Sequence, residues 1–168
     1  SGAPLVSVII PIWNARSTLE ETVASVWGQK NVRTEVILID DQSMDGSLDL
    51  AAKLVRKGRG KLLINRRNLG PGLSRHKGVL AANADLISTV DADDLLYPLK
   101  LEAEVEALDG NPNRVAYSTV EYASDASFTA WTFEGLNGLD HADFLRHVAG
   151  RKAQIPREEL ARGLGPAR

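Results

Sequence analysis

Glu35-Val36-Ile37-Leu38-Ile39-Asp40-Asp41-Gln42-Ser43-Met44-Asp45-Gly46 decides the fold. Four consecutive apolar residues, three of them β-branched, cannot alternate between a wet and a dry face. Residues 36–39 therefore read as a strand covered on both sides. The run stops at two acids and a cluster of turn formers, so the strand ends in a polar loop. The same grammar occurs on either side. Val6-Ser7-Val8-Ile9-Ile10 is ended by Pro11 and leads into Ile12-Trp13-Asn14, and Leu86-Ile87-Ser88-Thr89-Val90 empties into Asp91-Ala92-Asp93-Asp94. Lys61-Leu62-Leu63-Ile64 is a further strand.

Helical periods fill the gaps. Ser17-Thr18-Leu19-Glu20 has capping-box spacing and opens a helix with Leu19, Val23, Val26 and Trp27 as its apolar stripe. The next helix carries Leu48, Ala51, Ala52 and Val55 on one face and stops near Gly58. The loop Asn68-Leu69-Gly70-Pro71-Gly72 precedes a helix expected over residues 73–82. A helix over residues 99–108 and a strand near 115–120 follow. Beyond Val120 the pattern weakens: residues 124–138 suit a loop or irregular hairpin. Asp140 is a plausible N-cap, with Leu139 and Phe144 as a hydrophobic staple for a helix to about residue 148. Residues 156–168 read as one helical turn and a Gly/Pro end. The order β-α-β-α-β-α-β-α-β predicts an α/β fold, a Rossmann-like, mostly parallel sheet with helices on both faces.

The bulk numbers exclude several classes. A chain of 168 residues has room for one well-cored domain. A net charge of −2 gives no basic field for nucleic acid. No apolar run reaches the roughly 20 residues that span a bilayer, so membrane association is not visible in this chain. Ser1-Gly2-Ala3-Pro4 lacks the features of a signal peptide and reads as a leader or tag. The absence of cysteine excludes disulfides and thiolate chemistry and fits a cytoplasmic location.

In an open parallel sheet, ligands bind outside the carboxyl ends of the strands. Three polar clusters belong there: Pro11-Ile12-Trp13-Asn14, Asp40-Asp41 and Asp91-Ala92-Asp93-Asp94. Singly, each has a plain structural reading, since acids at strand ends cap helices and a tryptophan fills cores. Together they point to a ligand. Three carboxylates in four residues repel one another unless a cation or basic group sits among them. Mg2+ and Mn2+ take one or two carboxylates and complete their shell with water and phosphate oxygens, which suits a diphosphate. A carboxylate of the Asp40-Asp41 pair can accept hydrogen bonds from a base or a ribose, while Asp45 sits among turn formers that give it an equally local role. Trp13 offers a flat surface to a base. Arg75 and Lys77 lie early in a helix, where positive charge and free N–H groups favour phosphate, although Lys77 reads more naturally as a solvated surface residue. His76 has no partner visible in the sequence and is assigned no role.

Taken in order, these motifs resemble the family 2 nucleotide-sugar glycosyltransferases, which have the A-type glycosyltransferase fold. The matching pieces are Val8-Ile9-Ile10-Pro11-Ile12-Trp13-Asn14, the Glu35-to-Gly46 stretch, Asn68-Leu69-Gly70 with Ser74-Arg75-His76-Lys77-Gly78, and Asp91-Ala92-Asp93-Asp94. They run in order from about residue 5 to 120. The resemblance implies a nucleotide-binding set of Pro11, Ile12, Trp13, Asn14, Asp40, Asp41, Arg75, Asp91, Ala92 and Asp93. Pro11 and Trp13 would frame the base, the family more often having an aromatic such as tyrosine at the second position. Asp41 would contact the base with Asp40 beside it, Arg75 would lie near the phosphates, and Asp93 and Asp91 would hold Mn2+ or Mg2+. The partners implied are a nucleotide-diphosphate sugar donor, a UDP-sugar foremost, and a glycan, lipid or protein acceptor. Members generally invert the anomeric centre, with a general base on the acceptor hydroxyl and a metal on the leaving diphosphate.

The family usually continues into an acceptor half with an acidic pair that includes the base. No Glu-Asp pair follows residue 120, so the catalytic base is unassigned and expected outside this chain, which reads as truncated. The expected division is 1–4 leader, 5–122 donor-binding domain and 123–168 the start of an acceptor-side region. Two other classes compete. An Asp-x-Asp phosphohydrolase would place its acids after the first strand, and a receiver-type domain would need paired acids where Trp13-Asn14 stand. A catalytically silent nucleotide-sugar-binding module remains the alternative to an enzyme.

Overall fold

The computed structural model describes residues 2–58 and 60–116, and the backbone of two short strands beyond them. The elements are β1 (Leu5–Ile12), α1 (Leu19–Trp27), β2 (Arg33–Asp40), α2 (Ser47–Lys57), β3 (Gly60–Ile64), α3 (Gly70–Ala81), β4 (Leu86–Thr89), α4 (Lys100–Leu108), β5 (Tyr122–Ser124) and β6 (Ser127–Thr129). The chain divides into two compact units, Ser1–Glu102 and Ala103–Arg168. The first holds a wholly parallel sheet in the order β3-β2-β1-β4. In the second, β5 and β6 pair antiparallel, Ala123 opposite Phe128.

Strand order follows from handedness. From β1 to β2 to β3 the chain steps one way, so right-handed crossovers put α1 and α2 on one face of the sheet. From β3 to β4 it returns across β2 and β1, which puts α3 on the other face. The packing agrees: α1 touches α2, while α3 lies on β1 and β2. With helices on both sides, the central strands are dry, and Val8, Ile9, Ile10, Ile12, Ile37, Leu38 and Ile39 are fully buried. Ile9, Ile37 and Ile39 form the α3-side core with Leu63, Ala81 and Ala82. Gly78 makes the close approach possible, because a methyl there would run into Ile9 Cγ2 and come within 3.0 Å of Ile39 Cδ1.

Several boundaries differ from expectation for identifiable reasons. The capping box at residues 17–20 does not form: Thr18, not Ser17, is the N-cap, and it makes no side-chain cap bond while its hydroxyl donates to the loop after β4. Trp27 is not core but lies half-exposed against Gly58. α2 buries Ser47, Ala51 and Leu54: of the expected face of Leu48, Ala51, Ala52 and Val55, Ala51 is buried and the other three are partly buried. α3 begins at Gly70, three residues before the expected start, because Asp41 accepts the Leu69 and Gly70 amide bonds and Pro71 is compatible with a first turn. Val115 and Ala116 are not in a strand, and residues 117–120 lie outside the described residues, as do the expected helix from Asp140 and the tail at 156–168.

Toward the amino ends of the strands, Glu35 accepts hydrogen bonds from Ser7 Oγ at 2.7 Å, Asn83 N at 3.0 Å and Asn83 Nδ2 at 2.7 Å, and pairs with Lys61 Nζ at 3.1 Å. Ser7 Oγ also accepts the Ala84 N–H. Burial pushes the Glu35 carboxyl up, but the Asn83 N–H, Ser7 and Lys61 outweigh it and hold it below the usual range. Among the described residues no helix is long and apolar enough to cross a membrane.

Candidate functional site

β1 and β4 are neighbours reached by crossovers of opposite direction, so the loops at their carboxyl ends diverge and leave a crevice. A cavity of about 820 Å³ occupies it. Its walls are Pro11, Ile12, Trp13, Asn14 and Ala15 from the β1 exit, Ser17 and Thr18 before α1, and Asp41 after β2. Asn68, Gly70, Pro71 and Arg75 from the start of α3 and Asp91, Ala92 and Asp93 after β4 complete it. The sheet thus brings together nine of the ten expected nucleotide-site residues. Asp40 is the exception: it is 1% exposed and does not line the cavity. A smaller hollow of about 350 Å³ beside β3, lined by Leu63, Ile64, Asn65, Lys77, Leu80 and Ala81, contains none of the acidic residues.

The loops after β1 and β2 lock together. Asn14, at φ 51, accepts the Met44 N–H at 2.8 Å and donates its own N–H to Ser43 Oγ at 3.0 Å. Ala15 N–H reaches Ser47 Oγ at 2.9 Å, and Arg16 N–H reaches Asp45 Oδ2 at 3.0 Å. Asp45 also accepts from the Ser47 hydroxyl at 2.5 Å and the Ser47 N–H at 3.0 Å, and the hydroxyl bond is the main reason its carboxyl lies below the usual range. Its role is the local one. Trp13 is 62% exposed, so this indole is a surface offered to the cavity rather than core filler.

The acidic pair is built for structure first. Asp40 Oδ2 accepts the N–H groups of Gln42 and Ser43 at 3.2 Å, closing the turn, while Oδ1 is buried without a hydrogen-bond partner. Asp41 is 3% exposed. Its Oδ1 accepts from Asn65 Nδ2 and Leu69 N, each at 2.8 Å, and its Oδ2 from Gly70 N at 2.7 Å. Burial raises its carboxyl, but the Leu69 N–H, Asn65, the Gly70 N–H and Ser74 outweigh burial and keep it ionised. With three N–H donors and the Ser74 hydroxyl around it, most of the roughly four acceptor sites of this carboxylate are filled. Nothing in the sequence marks Asn65 as part of this network. Fully buried, it donates to Asp41 and to Ser74 Oγ and accepts from Lys77 Nζ at 2.7 Å, so Lys77 is partnered rather than merely solvated.

The acidic turn is built differently. Asp91, Asp93 and Asp94 are exposed around a buried Ala92, and the Asp94 N–H closes the turn onto the Asp91 carbonyl at 3.1 Å. Arg75 Nη2 pairs with Asp91 Oδ1. Asp94 is pushed up, by burial first and then by the charges of Asp91 and Asp93, so the repulsion inside the cluster is felt by its own members. Among the described residues no three acidic or histidine side chains converge into a closed cage. The donor set still fits a hard cation: two exposed carboxylates, with the cavity beside them open to phosphate oxygens, is what Mg2+ or Mn2+ accepts.

Known proteins share this architecture. An uncharacterized glycosyltransferase of Haemophilus influenzae is 36% identical over 103 residues, covering 61% of this chain and 41% of that protein, so the chain spans about two fifths of that relative's length. Residues 1–349 of S. aureus TarS, solved in complex with UDP-GlcNAc, superpose with a TM-score of 0.66 at 24% identity, covering 77% of this chain and 38% of that one. The mannosyltransferase PcManGT from Pyrobaculum calidifontis, solved with GDP-Man and Mn2+, gives a TM-score of 0.63 at 24% identity over 73% of this chain and 37% of that one. These two likenesses establish the fold as that of A-type glycosyltransferases. Residues 7–157 match glycosyl transferase family 2, and the chain belongs to that family.

Proposed function

We propose that this chain is the donor-binding part of a glycosyltransferase that moves a sugar from a nucleotide-diphosphate sugar, a UDP-sugar foremost, to an acceptor hydroxyl with inversion. The observation that carries the reading is the cavity at the β1/β4 switch point, which places an exposed indole, an ionised buried carboxylate, an arginine and two exposed carboxylates around one volume. Trp13 stacks on the base. Asp41, held ionised and lining the cavity, accepts an N–H from the base edge, and Asp40 supports the turn from behind. Arg75 sets a fixed positive charge near the phosphates. Asp91 and Asp93 hold Mn2+ or Mg2+, which when bound offsets negative charge on the departing diphosphate. The ligands named for the two structural neighbours, UDP-GlcNAc in one and GDP-Man with Mn2+ in the other, support a nucleotide-sugar donor and a metal. The acceptor is a glycan, lipid or protein hydroxyl, and the residue that deprotonates it is unassigned.

A thermal-shift panel of UDP-, GDP-, CDP- and dTDP-sugars, each with Mn2+ and with chelator, tests the reading. One base should stand out, and its shift should depend on metal. Equal, metal-independent shifts for all four would sink it.

A further inference from the structure

Residues 90–99, which carry the acidic turn, form no helix or strand between β4 and α4. Their backbone groups must find partners elsewhere, and α1 with its flanking residues supplies several of them from one stripe. Thr18, Thr22, Ser25 and Gln29 follow each other at steps of four, three and four, which is the spacing of one helix face. Thr18 Oγ1 and Thr22 Oγ1 both donate to the Ala92 carbonyl, at 2.8 and 2.9 Å. Ser25 Oγ accepts the Leu96 N–H at 3.0 Å. Gln29 donates to the Tyr97 carbonyl at 2.7 Å and accepts the Leu101 N–H at 3.0 Å. Thr22 is fully buried and Gln29 nearly so, so solvation does not explain why this face is polar. A buried hydroxyl is tolerated where it is bonded.

Two donors converge on one carbonyl at the centre of the acidic turn. The Ala92 carbonyl belongs to the peptide that joins Ala92 to Asp93, and the Asp94 N–H on the Asp91 carbonyl closes the same turn, so anchoring it restricts how both acids leave the backbone. We propose that Thr18 and Thr22 are positioning residues for the acidic turn, holding the Ala92 peptide so that Asp91 and Asp93 present their carboxylates together to a metal-bound diphosphate. This rests on the donor-site reading given above. It predicts that the threonines act on the diphosphate and metal end of the ligand and leave the base end alone, since Trp13 and Asp41 belong to other loops.

Thr22→Val keeps shape and removes the hydroxyl. Calorimetric titration of the chain with UDP in Mn2+, UDP in chelator, and uridine alone separates the two ends, with GDP and guanosine run in parallel. Thr22→Val should weaken Mn2+-dependent UDP binding about tenfold, with uridine affinity unchanged. Thr22→Ser should restore it, and Thr18→Val with Thr22→Val should lose more. Thermal melts of each variant separate stability from binding. If the valine variants melt lower but keep the wild-type ratio of affinities with and without Mn2+, the threonines are structural staples and the proposal falls, while the donor-site reading stands. If the double variant does not fold, the Thr22→Val and Thr22→Ser pair decides by the same ratio. A wild-type chain that binds neither UDP nor GDP in a metal-dependent way overturns both.

Discussion

Asp40-Asp41 and Asp91-Ala92-Asp93-Asp94 leave the strands on either side of β1 at the same edge of the sheet, and their carboxylates live in opposite conditions. Asp41 is 3% exposed with three N–H donors on it, while the side chain of Asp91 is 55% exposed and has the Arg75 guanidinium against it. In the first region the protein's own amides are the counter-charge. In the second, negative charges crowd until they push on Asp94. A carboxylate whose acceptor sites are mostly filled organises a loop, and one whose sites are open is available to an incoming cation. Two acidic motifs that look alike in sequence therefore divide into one that builds the crevice and one left open beside it.

The contrast can be broken most directly by stability. Asp41→Ala strips the acceptor from Leu69, Gly70 and Asn65 and should cost about 3 kcal/mol in denaturant unfolding. Asp93→Asn, on an exposed turn, should stay within about 0.5 kcal/mol of wild type. Equal losses would erase the distinction. Binding should invert the order: Asp93→Asn should remove the Mn2+-dependent part of UDP affinity, about 2 kcal/mol or roughly thirtyfold by calorimetry, with uridine untouched.

Titration sharpens the same comparison. Asp41 and Glu35 have folded-state pKa values below their unfolded ones, so the stability they contribute is complete above the ordinary carboxylate range. It is lost as pH falls through that range toward the depressed folded values. Melting temperatures followed downward from neutral pH should drop, and Asp41→Asn should flatten the slope. Asp94 has the opposite sign: its raised pKa is a penalty at neutral pH that disappears on protonation. The smallest effect expected is thus a slight rise in melting temperature for Asp94→Asn at neutral pH, and a fall would contradict it.

The sheet was legible because buried parallel strands leave unbroken apolar runs, as residues 36–39 do, and each run ended at a polar loop. The crevice was legible because the switch-point rule assigns those loops one edge. What escaped was polar and buried. Asn65 sits in Ile64-Asn65-Arg66 with nothing adjacent to mark it as a hub, since its partners come from the loop after β2, Asp41, and from helix α3, Ser74. The Thr18-Thr22-Ser25-Gln29 stripe has helical spacing, but a polar stripe on a helix usually faces water, and only the path of residues 90–99 reveals otherwise. The capping box is absent because the helix starts one residue later than its spacing requires, with Thr18 rather than Ser17 as N-cap.

The Glu35 cluster has a consequence for how such a scaffold changes over generations. Ser7, Glu35, Lys61 and Asn83 tie β1, β2, β3 and the approach to β4 together without borrowing any residue that lines the crevice. Substitutions in the loops that line the crevice therefore leave this fastening intact, and drift at the fastening leaves those loops their residues. The crevice loops can be rewritten without disturbing it, provided the interlocked pair around Asn14 and Ser43 is exchanged as a unit. Loop grafting between homologues should respect the same seam.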